Sequence, residues 1–348
     1  MKQLMKHASI IIILLGLLSS LLLSGCDNIG LNKPRNNDNT QSSPSSRSTE
    51  SEQQAQSSES LSDSTKDSPT ESSVAPLVVL PEILVPTASG VDVEKNGQAI
   101  VDFSNRQDGY IMAMYLEDTD MKIKLLITVP DGVQYTYSLH PGRDYEVFPL
   151  SGGDGVYEIG VFKQVEGTRY SMVLSTTIKV ALVDEFAPFL RPNQFVNFSQ
   201  DSDTVRKAAE LTAGKNDVMD KVAAIYDFVI SNIVYDVELA ETVQSDYLPD
   251  VDRILASGKG ICFDYSSLMA AMLRSQGVPT KLVIGYTGDL YHAWISVYCP
   301  EDGWLDDVIF FDGISWSLVD PTFAAGGSTG GISQYIGAGT DYTVKFLH

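Results

Sequence analysis

The sequence predicts an α+β protein, with an N-terminal antiparallel β-sandwich followed by an α+β domain. Three observations predict it. Between Val74 and Val183 the chain breaks into short β-rich runs separated by turn signals. After Ser199 apolar residues recur at helical spacing. Beyond Gly277 strand-like segments return, at Leu290–Tyr298 and again around Trp316–Asp320.

The chain has 348 residues, enough for two domains and a tail. Residues 1–26 read as an export signal. Lys2 and Lys6 precede the apolar run Ile10–Leu23, which is short for a membrane-spanning helix. Leu23-Ser24-Gly25-Cys26 resembles a bacterial lipoprotein cleavage box. That resemblance implies cleavage before Cys26, lipidation of its thiol, and anchoring in the lipid bilayer. The protein is then expected at the outer face of the bacterial cytoplasmic membrane, extracellular or periplasmic. An ordinary signal peptide or an uncleaved anchor is the alternative. Residues 27–75 are low in complexity, rich in Ser, Gln, Asn, Glu and Asp, and poor in large apolar side chains. Such a segment buries too little surface to offset its chain entropy, so it reads as a disordered Ser-rich tether.

Residues 76–185 form the expected sandwich. The runs Ala99–Phe103, Tyr110–Tyr115, Ile123–Val129, Gln134–Leu139, Tyr145–Leu150, Val156–Phe162 and Tyr170–Val180 are β-rich. Turns fall at Gln107-Asp108-Gly109, Pro130-Asp131-Gly132, Pro141-Gly142, Gly152-Gly153-Asp154-Gly155 and Glu166-Gly167. The region contains no cysteine, so its core must hold it together. Its tyrosines read as packing groups and His140 as a turn residue.

Residues 186–348 form the second expected domain. Phe186–Ser199, with Pro188 and Pro192, reads as the joining segment, and Asp203–Thr212 and Asp217–Ile233 read as helices, the second capped by Asn216. Ala240–Asp250 has few apolar residues and reads as a loop beside a cleft; Pro249–Ala256 reads as a short helix. Then comes Gly260-Ile261-Cys262-Phe263-Asp264-Tyr265-Ser266. Ser257-Gly258-Lys259-Gly260 is a turn, and Tyr265, Leu268, Met269, Met272 and Leu273 keep helical spacing until Gly277 and Pro279. Cys262 is therefore expected in the first turn of a helix, where unpaired amides and the helix dipole favour a thiolate.

A nucleophilic thiolate needs a base and a group that orients the base. Among His7, His140, His292 and His348, the best base is His292, on the strand Leu290–Tyr298. The best orienter is Asp320, in Trp316-Ser317-Leu318-Val319-Asp320. If these strands pair antiparallel, the two residues face each other with Cβ atoms roughly 5 Å apart. The competing reading is a Cys262–Cys299 disulfide in an oxidising compartment. Cys299 lies about 23 Å beyond His292 along a straight strand, and a disulfide needs Cα atoms within about 7 Å, so the two readings exclude each other.

These residues resemble the bacterial branch of the transglutaminase-like superfamily. The ordered motifs are Gly-Ile-Cys-x-Asp-Tyr-Ser, then Leu273-Arg274-x-x-Gly277-Val278-Pro279 leading to Val283, Gly285 and Tyr286, then His292-Ala293-Trp294, then Trp316-x-x-Val-Asp-Pro-Thr. They span about residues 200–325. The resemblance implies a papain-like α+β core with Cys262 as nucleophile, His292 as base and Asp320 as orienter. It implies acyl transfer on peptide or protein amides at the cell surface, as crosslinking or hydrolysis; the residues themselves point to no cofactor and no metal. It also implies that the helix before the cysteine packs beside the cysteine helix and that an aromatic near its end lines the site. That makes Tyr235 a candidate oxyanion or pocket residue, with a core or rim tyrosine as the alternative. Asp264 is a candidate electrostatic influence or an ordinary helix-start carboxylate. Trp294 and Trp316 are pocket walls or core. The stretch from His292 to Trp316 is longer than the short hairpin usual in the family.

The formal charge of −21 argues against a nucleic-acid partner. No phosphate loop, dinucleotide fingerprint or ligand-spaced His/Cys set is visible. Asp302, Asp306, Asp307 and Asp312 do not follow the calcium-loop pattern. A cysteine acyltransferase or protease is the leading reading. The alternatives are a non-catalytic surface module that binds wall peptide or protein, and a structural lipoprotein whose sandwich does the binding. The residues do not specify an oligomeric state.

Overall fold

The computed structural model describes residues 80–142, 144–287, 290–306, 309–311, 316–318 and 342–348. The export signal with Cys26, the tether and Asp320 lie outside the described residues, which all belong to one unit, Ser73–His348.

The strand-rich part comprises β1 Val93–Lys95, β2 Ala99–Asp102, β3 Tyr110–Tyr115, β4 Ile123–Thr128, β5 Gln134–Leu139, β6 Glu146–Pro149, β7 Gly155–Glu166 and β8 Arg169–Val180. They pair antiparallel in two sheets, β1-β2-β3-β6 and β5-β4-β7-β8. Alternation sets the register: Ile123, Leu125 and Ile127 point into the core from β4, and Tyr135, Tyr137 and Leu139 do so from β5. They meet Val101, Ile111, Ala113 and Tyr115 of the facing sheet in one core. Tyr115, Tyr137, Phe148 and Tyr157 are fully buried there, so these aromatics are packing groups. Every expected strand is present; β1 is additional, and its Val-Glu-Lys sequence carries no alternation signal.

The helical part follows. Helix α1 spans Asp203–Leu211 and α2 Val218–Asn232. The cap of α2 is Asp217 and not Asn216: the Asp217 carboxylate accepts from the amides of Met219 and Asp220. Strand β9, Val234–Tyr235, leads to α3, Val237–Thr242, whose last three residues fall in the stretch Ala240–Asp250 that reads as loop from its sequence. Asp236 starts α3 by accepting from the amide of Leu239, so a local cap supplies what apolar periodicity does not. Helix α4 is Val251–Ser257, β10 is Lys259–Gly260, and α5 is Cys262–Ser275.

Helix α5 is the centre of this part, with every residue from Asp264 to Ser275 buried. It packs on α1, α2 and α4 and on the antiparallel sheet of β11 Thr280–Thr287, β12 Leu290–Cys299, β13 Gly303–Leu305 and β16 Tyr342–Leu347, in the order β13-β12-β11-β16. The helix ends at Gly277, φ +75°, with the amide of Val278 on the carbonyl of Leu273 and that of Gly277 on Arg274. This pairing needs a left-handed residue, which glycine supplies without strain. Strand β14, Ile309–Phe311, pairs with β15, Trp316–Leu318. The pairing of the His292 strand with the Trp316 strand is not found among the described residues, where β12 pairs with β11 and β13 and β15 with β14; Asp320 lies outside them.

Two features join the strand-rich and helical parts. Arg274, fully buried, donates from Nε to the main-chain oxygen of Thr280 at 2.9 Å, from Nη1 to Arg191 at 2.9 Å and from Nη2 to His348 at 2.6 Å. Beside it, aromatic rings bridge the two cores. Phe195 contacts Tyr137 of β5 (5.4 Å between centroids), His348 (4.7 Å) and Phe263 of α5 (5.3 Å). His348 Nδ1 lies 3.0 Å from the Tyr137 hydroxyl. Burial holds that phenol protonated, so it donates and Nδ1 accepts.

Gly285 marks the tightest point of the sheet. A Cβ there would lie 2.1 Å from the Thr343 carbonyl oxygen and 2.8 Å from the Trp294 ring. Gly285→Ala should therefore destabilise the protein by about 1–3 kcal/mol, read by urea unfolding. A second prediction concerns pH. Burial first, and Arg274 second, push the His348 ring down to about 3 from an ordinary 6.5. Between those values an unfolded chain takes up a proton that the native ring refuses. Stability from the neutral ring is full above pH 6.5 and is lost as pH falls toward 3. Unfolding free energy should drop over this window by up to about 5 kcal/mol. The drop should be smaller in His348→Gln.

Candidate active site

Cys262 is the first residue of α5, and Ile261 caps the helix in extended conformation (φ −95°, ψ 177°). A helix start leaves its first amides without intrahelical acceptors, so donors surround the sulfur-bearing residue. Cys262 is partly exposed and free, and Cys299 is free and buried. The disulfide reading is thereby overturned: Cys299 sits at the far end of β12 with its thiol on the Glu301 carboxylate at 3.1 Å.

Three contacts shape the turn before the helix. Strands β9 and β10 pair in parallel, placing Tyr235 opposite Gly260, and the amide of Asp236 donates to the Gly260 carbonyl at 2.9 Å. The Tyr265 hydroxyl donates to the Ile233 carbonyl at 2.6 Å, tying α5 to the end of α2. A Cβ on Gly260 would lie 2.5 Å from Asp264 Cβ, so only glycine lets the turn fold down on that carboxylate.

Asp264 has no solvent exposure. Its Oδ2 accepts from the Ile261 amide at 2.9 Å and its Oδ1 from the Tyr247 hydroxyl at 2.6 Å. Burial raises its pKa, and these two bonds oppose the rise. The carboxylate faces the backbone beneath Cys262. Tyr247 is held in turn by Arg253, whose Nη2 donates to its oxygen at 2.7 Å.

His292 lies on β12, which packs against α5, and is 3% exposed. Its ring stacks on Trp294 two residues along (6.3 Å between centroids, 19° between planes), as period 2 requires for one face. Trp294 is buried and packs edge-on against Tyr342 at 5.0 Å, so it backs the histidine from within the core. Next to His292, Tyr291 is 56% exposed and packs on Tyr286, its cross-strand partner, at 5.3 Å. Burial of the hydroxyl raises the Tyr291 pKa, with smaller contributions from Tyr286 and Cys262. The Tyr291–His292 step of β12 thus borders the region of Cys262. Tyr235 is half-buried and packs against the helical core beside the cysteine turn.

Of the residues singled out from sequence, the structure brings Cys262, Asp264 and Tyr235 to one turn, and sets His292 and Trp294 on the strand packed against it. Asp320 and Cys26 lie outside the described residues. Tyr247, Arg253 and Tyr291 carried no signal in the sequence: each owes its place to contacts made across the fold. The excess of apolar residues on α5 and the glycine two positions before Cys262 were the only local hints.

Part of the chain is similar to known proteins. Residues 205–306 match the family model described as the transglutaminase-like superfamily. The chain is 35% identical over 118 residues to the uncharacterised protein YebA of Bacillus subtilis, covering 28% of this chain and 16% of that protein. It is 30% identical over 86 residues to a protein-glutamine gamma-glutamyltransferase of Pseudomonas aeruginosa, covering 21% of this chain and 11% of the relative. It spans only these small fractions of both curated relatives' lengths. Among solved structures, a candidate cysteine protease from Cytophaga hutchinsonii aligns over 69% of this chain and 83% of its own, with 17% identity and a TM-score of 0.34. The match to the transglutaminase-like family model runs from within α1 to the end of β13, the stretch in which Cys262 heads the central helix.

Proposed function

We propose that the protein is a cysteine acyltransferase or protease acting on peptide or protein amides at the cell surface. The observation that carries the reading is Cys262 as the first residue of α5, partly exposed, with β12 and its His292 packed on the same helix. The family match and the gamma-glutamyltransferase relative support acyl transfer as the chemistry. Cys26 would anchor the chain through lipid, the 27–75 tether would carry the folded part away from the headgroups, and the two domains would span 76–185 and 186–348.

In the proposed reaction His292 takes the proton from Cys262. The thiolate attacks the amide carbonyl carbon, and the carbonyl electron pair moves to oxygen. Amides at the start of α5 receive that oxyanion. His292, oriented by Asp320, returns the proton to the departing amine as the C–N bond breaks. The thioester is then resolved by an amine, giving a crosslink, or by water, giving hydrolysis. Tyr235 would border the pocket.

Two outcomes are expected. A mixed extracellular protein pool should show amine incorporation or peptide release that disappears in Cys262→Ser; no Cys262-dependent product in either assay would remove support for the enzyme reading. Alkylation of Cys262 by iodoacetamide across pH should slow by at least about tenfold in His292→Ala. A rate unmoved by that substitution would favour the alternative, a surface module that binds wall peptide or protein without catalysis.

A further inference from the structure

We propose that Tyr247 is a positioning residue for Cys262, acting through the carboxylate of Asp264. The inference rests on the reading of Cys262 as nucleophile, which it deepens.

The direction of each hydrogen bond follows from the groups present. A guanidinium can only donate, so Arg253 Nη2 gives a proton to the Tyr247 oxygen at 2.7 Å. The phenol's own proton must then point at its other partner, Asp264 Oδ1, at 2.6 Å. Burial and Asp264 push the phenol up to about 12, so it stays a donor at every working pH. The second carboxylate oxygen takes the Ile261 amide at 2.9 Å. Ile261 is the residue that turns the chain into α5 and is peptide-bonded to Cys262. The path therefore runs Arg253, Tyr247, Asp264, Ile261 amide, Cys262, and each link passes an orientation to the next.

The anchor points come from separate parts of the fold. Tyr247 sits in the connection between α3 and α4, with its amide on the Gln244 carbonyl at 3.1 Å. Arg253 is placed by the α4 cap, where the Asp250 carboxylate accepts its amide at 3.0 Å. The Arg253 guanidinium also lies 6.0 Å from the Tyr247 ring centroid, which steadies the ring. Next to Tyr247, Asp246 pairs with Lys122 of the strand-rich part at 3.5 Å. Asp264 is wholly buried, and it packs so closely on Gly260 that a Cβ added there would lie 2.5 Å from its own Cβ. Without the Tyr247 hydroxyl, Oδ1 is a buried acceptor lacking its donor. The carboxylate can regain one only by rotating, and rotation withdraws Oδ2 from the Ile261 amide. The peptide between Ile261 and Cys262 then turns, carrying the sulfur and the first helical amides out of line. A shift of this size in a reacting group reduces turnover with little effect on substrate binding.

The test uses the full chain with three substitutions: Tyr247→Phe, Asp264→Asn and Asp264→Ala. Two readouts are taken: kcat and KM with the amine-incorporation or peptide-release substrate, and the rate of Cys262 alkylation mapped by mass spectrometry of its peptide. Tyr247→Phe should lower kcat by about tenfold, keep KM within about twofold, and slow alkylation in parallel. Asp264→Asn should stay within about threefold of the parent, because its amide oxygen still accepts from Ile261 while its amide nitrogen donates to the oxygen of the partly exposed phenol, whose own proton turns outward. Asp264→Ala should lose at least as much as Tyr247→Phe. The proposal is overturned if Tyr247→Phe turns over and is alkylated within about twofold of the parent, or if KM alone changes. It is also overturned if Asp264→Asn falls as far as Asp264→Ala, for then charge and not geometry is at work. Should the parent chain show no Cys262-dependent turnover, the acyl-transfer reading fails on its own, and the alkylation rates alone decide whether Tyr247 positions the cysteine.

Discussion

Arg274 is a cation only 3% exposed, lodged one helical residue from the end of α5. Burial brings it down to about 9, still above neutrality, so the charge is present and must be satisfied. It is satisfied by main-chain oxygens of Thr280, Arg191 and His348, which belong to the strand after the helix, the segment joining the two parts, and the end of β16. None of the three can shift without stranding a buried donor, and stranding one costs several times what a single hydrogen bond contributes. One side chain thereby ties the sheet and the joining segment to the end of the helix.

The same helix is held at its other end by a buried anion. Asp264 and Arg274 lie near opposite termini of a rod about 20 Å long. Between them the helix is buried on every side, with Leu268, Met269, Met272 and Leu273 in the core. Such a helix has no exposed face on which to slide or turn. Apolar packing holds it in place without direction; the two charged ends set its rotation and its register. Cys262 inherits that rigidity in the first turn, where it and Phe263 are only partly buried.

Much of this was legible in the residue order. The alternating strands of the sandwich, the cysteine at a helix start, and the strand of His292 all follow from period and turn chemistry. The errors share a cause. Asn216 and Asp217 are both good caps, and only the folded geometry chooses the second. Helix α3 has no apolar stripe and is held by its Asp236 cap. Strand β1 is three residues with two charges, stabilised by β2 across a turn. The partner of the Trp316–Leu318 strand depended on Ile309–Phe311, an apolar piece visible in the sequence but without a predicted place. Tyr247 was unreadable, since nothing within its own segment announces a contact with a helix seventeen positions later. Local rules describe elements; they are silent on which polar group meets which across the fold.

The run of rings from Tyr137 through Phe195 to Phe263 has a consequence for how the molecule comes apart. Phe263 follows Cys262 in the chain, Tyr137 is deep in the sandwich, and Phe195 contributes to both cores. Neither core can be emptied without exposing aromatic surface belonging to the other. The strand-rich and helical parts are therefore coupled in stability through a seam of rings that begins one residue from the cysteine.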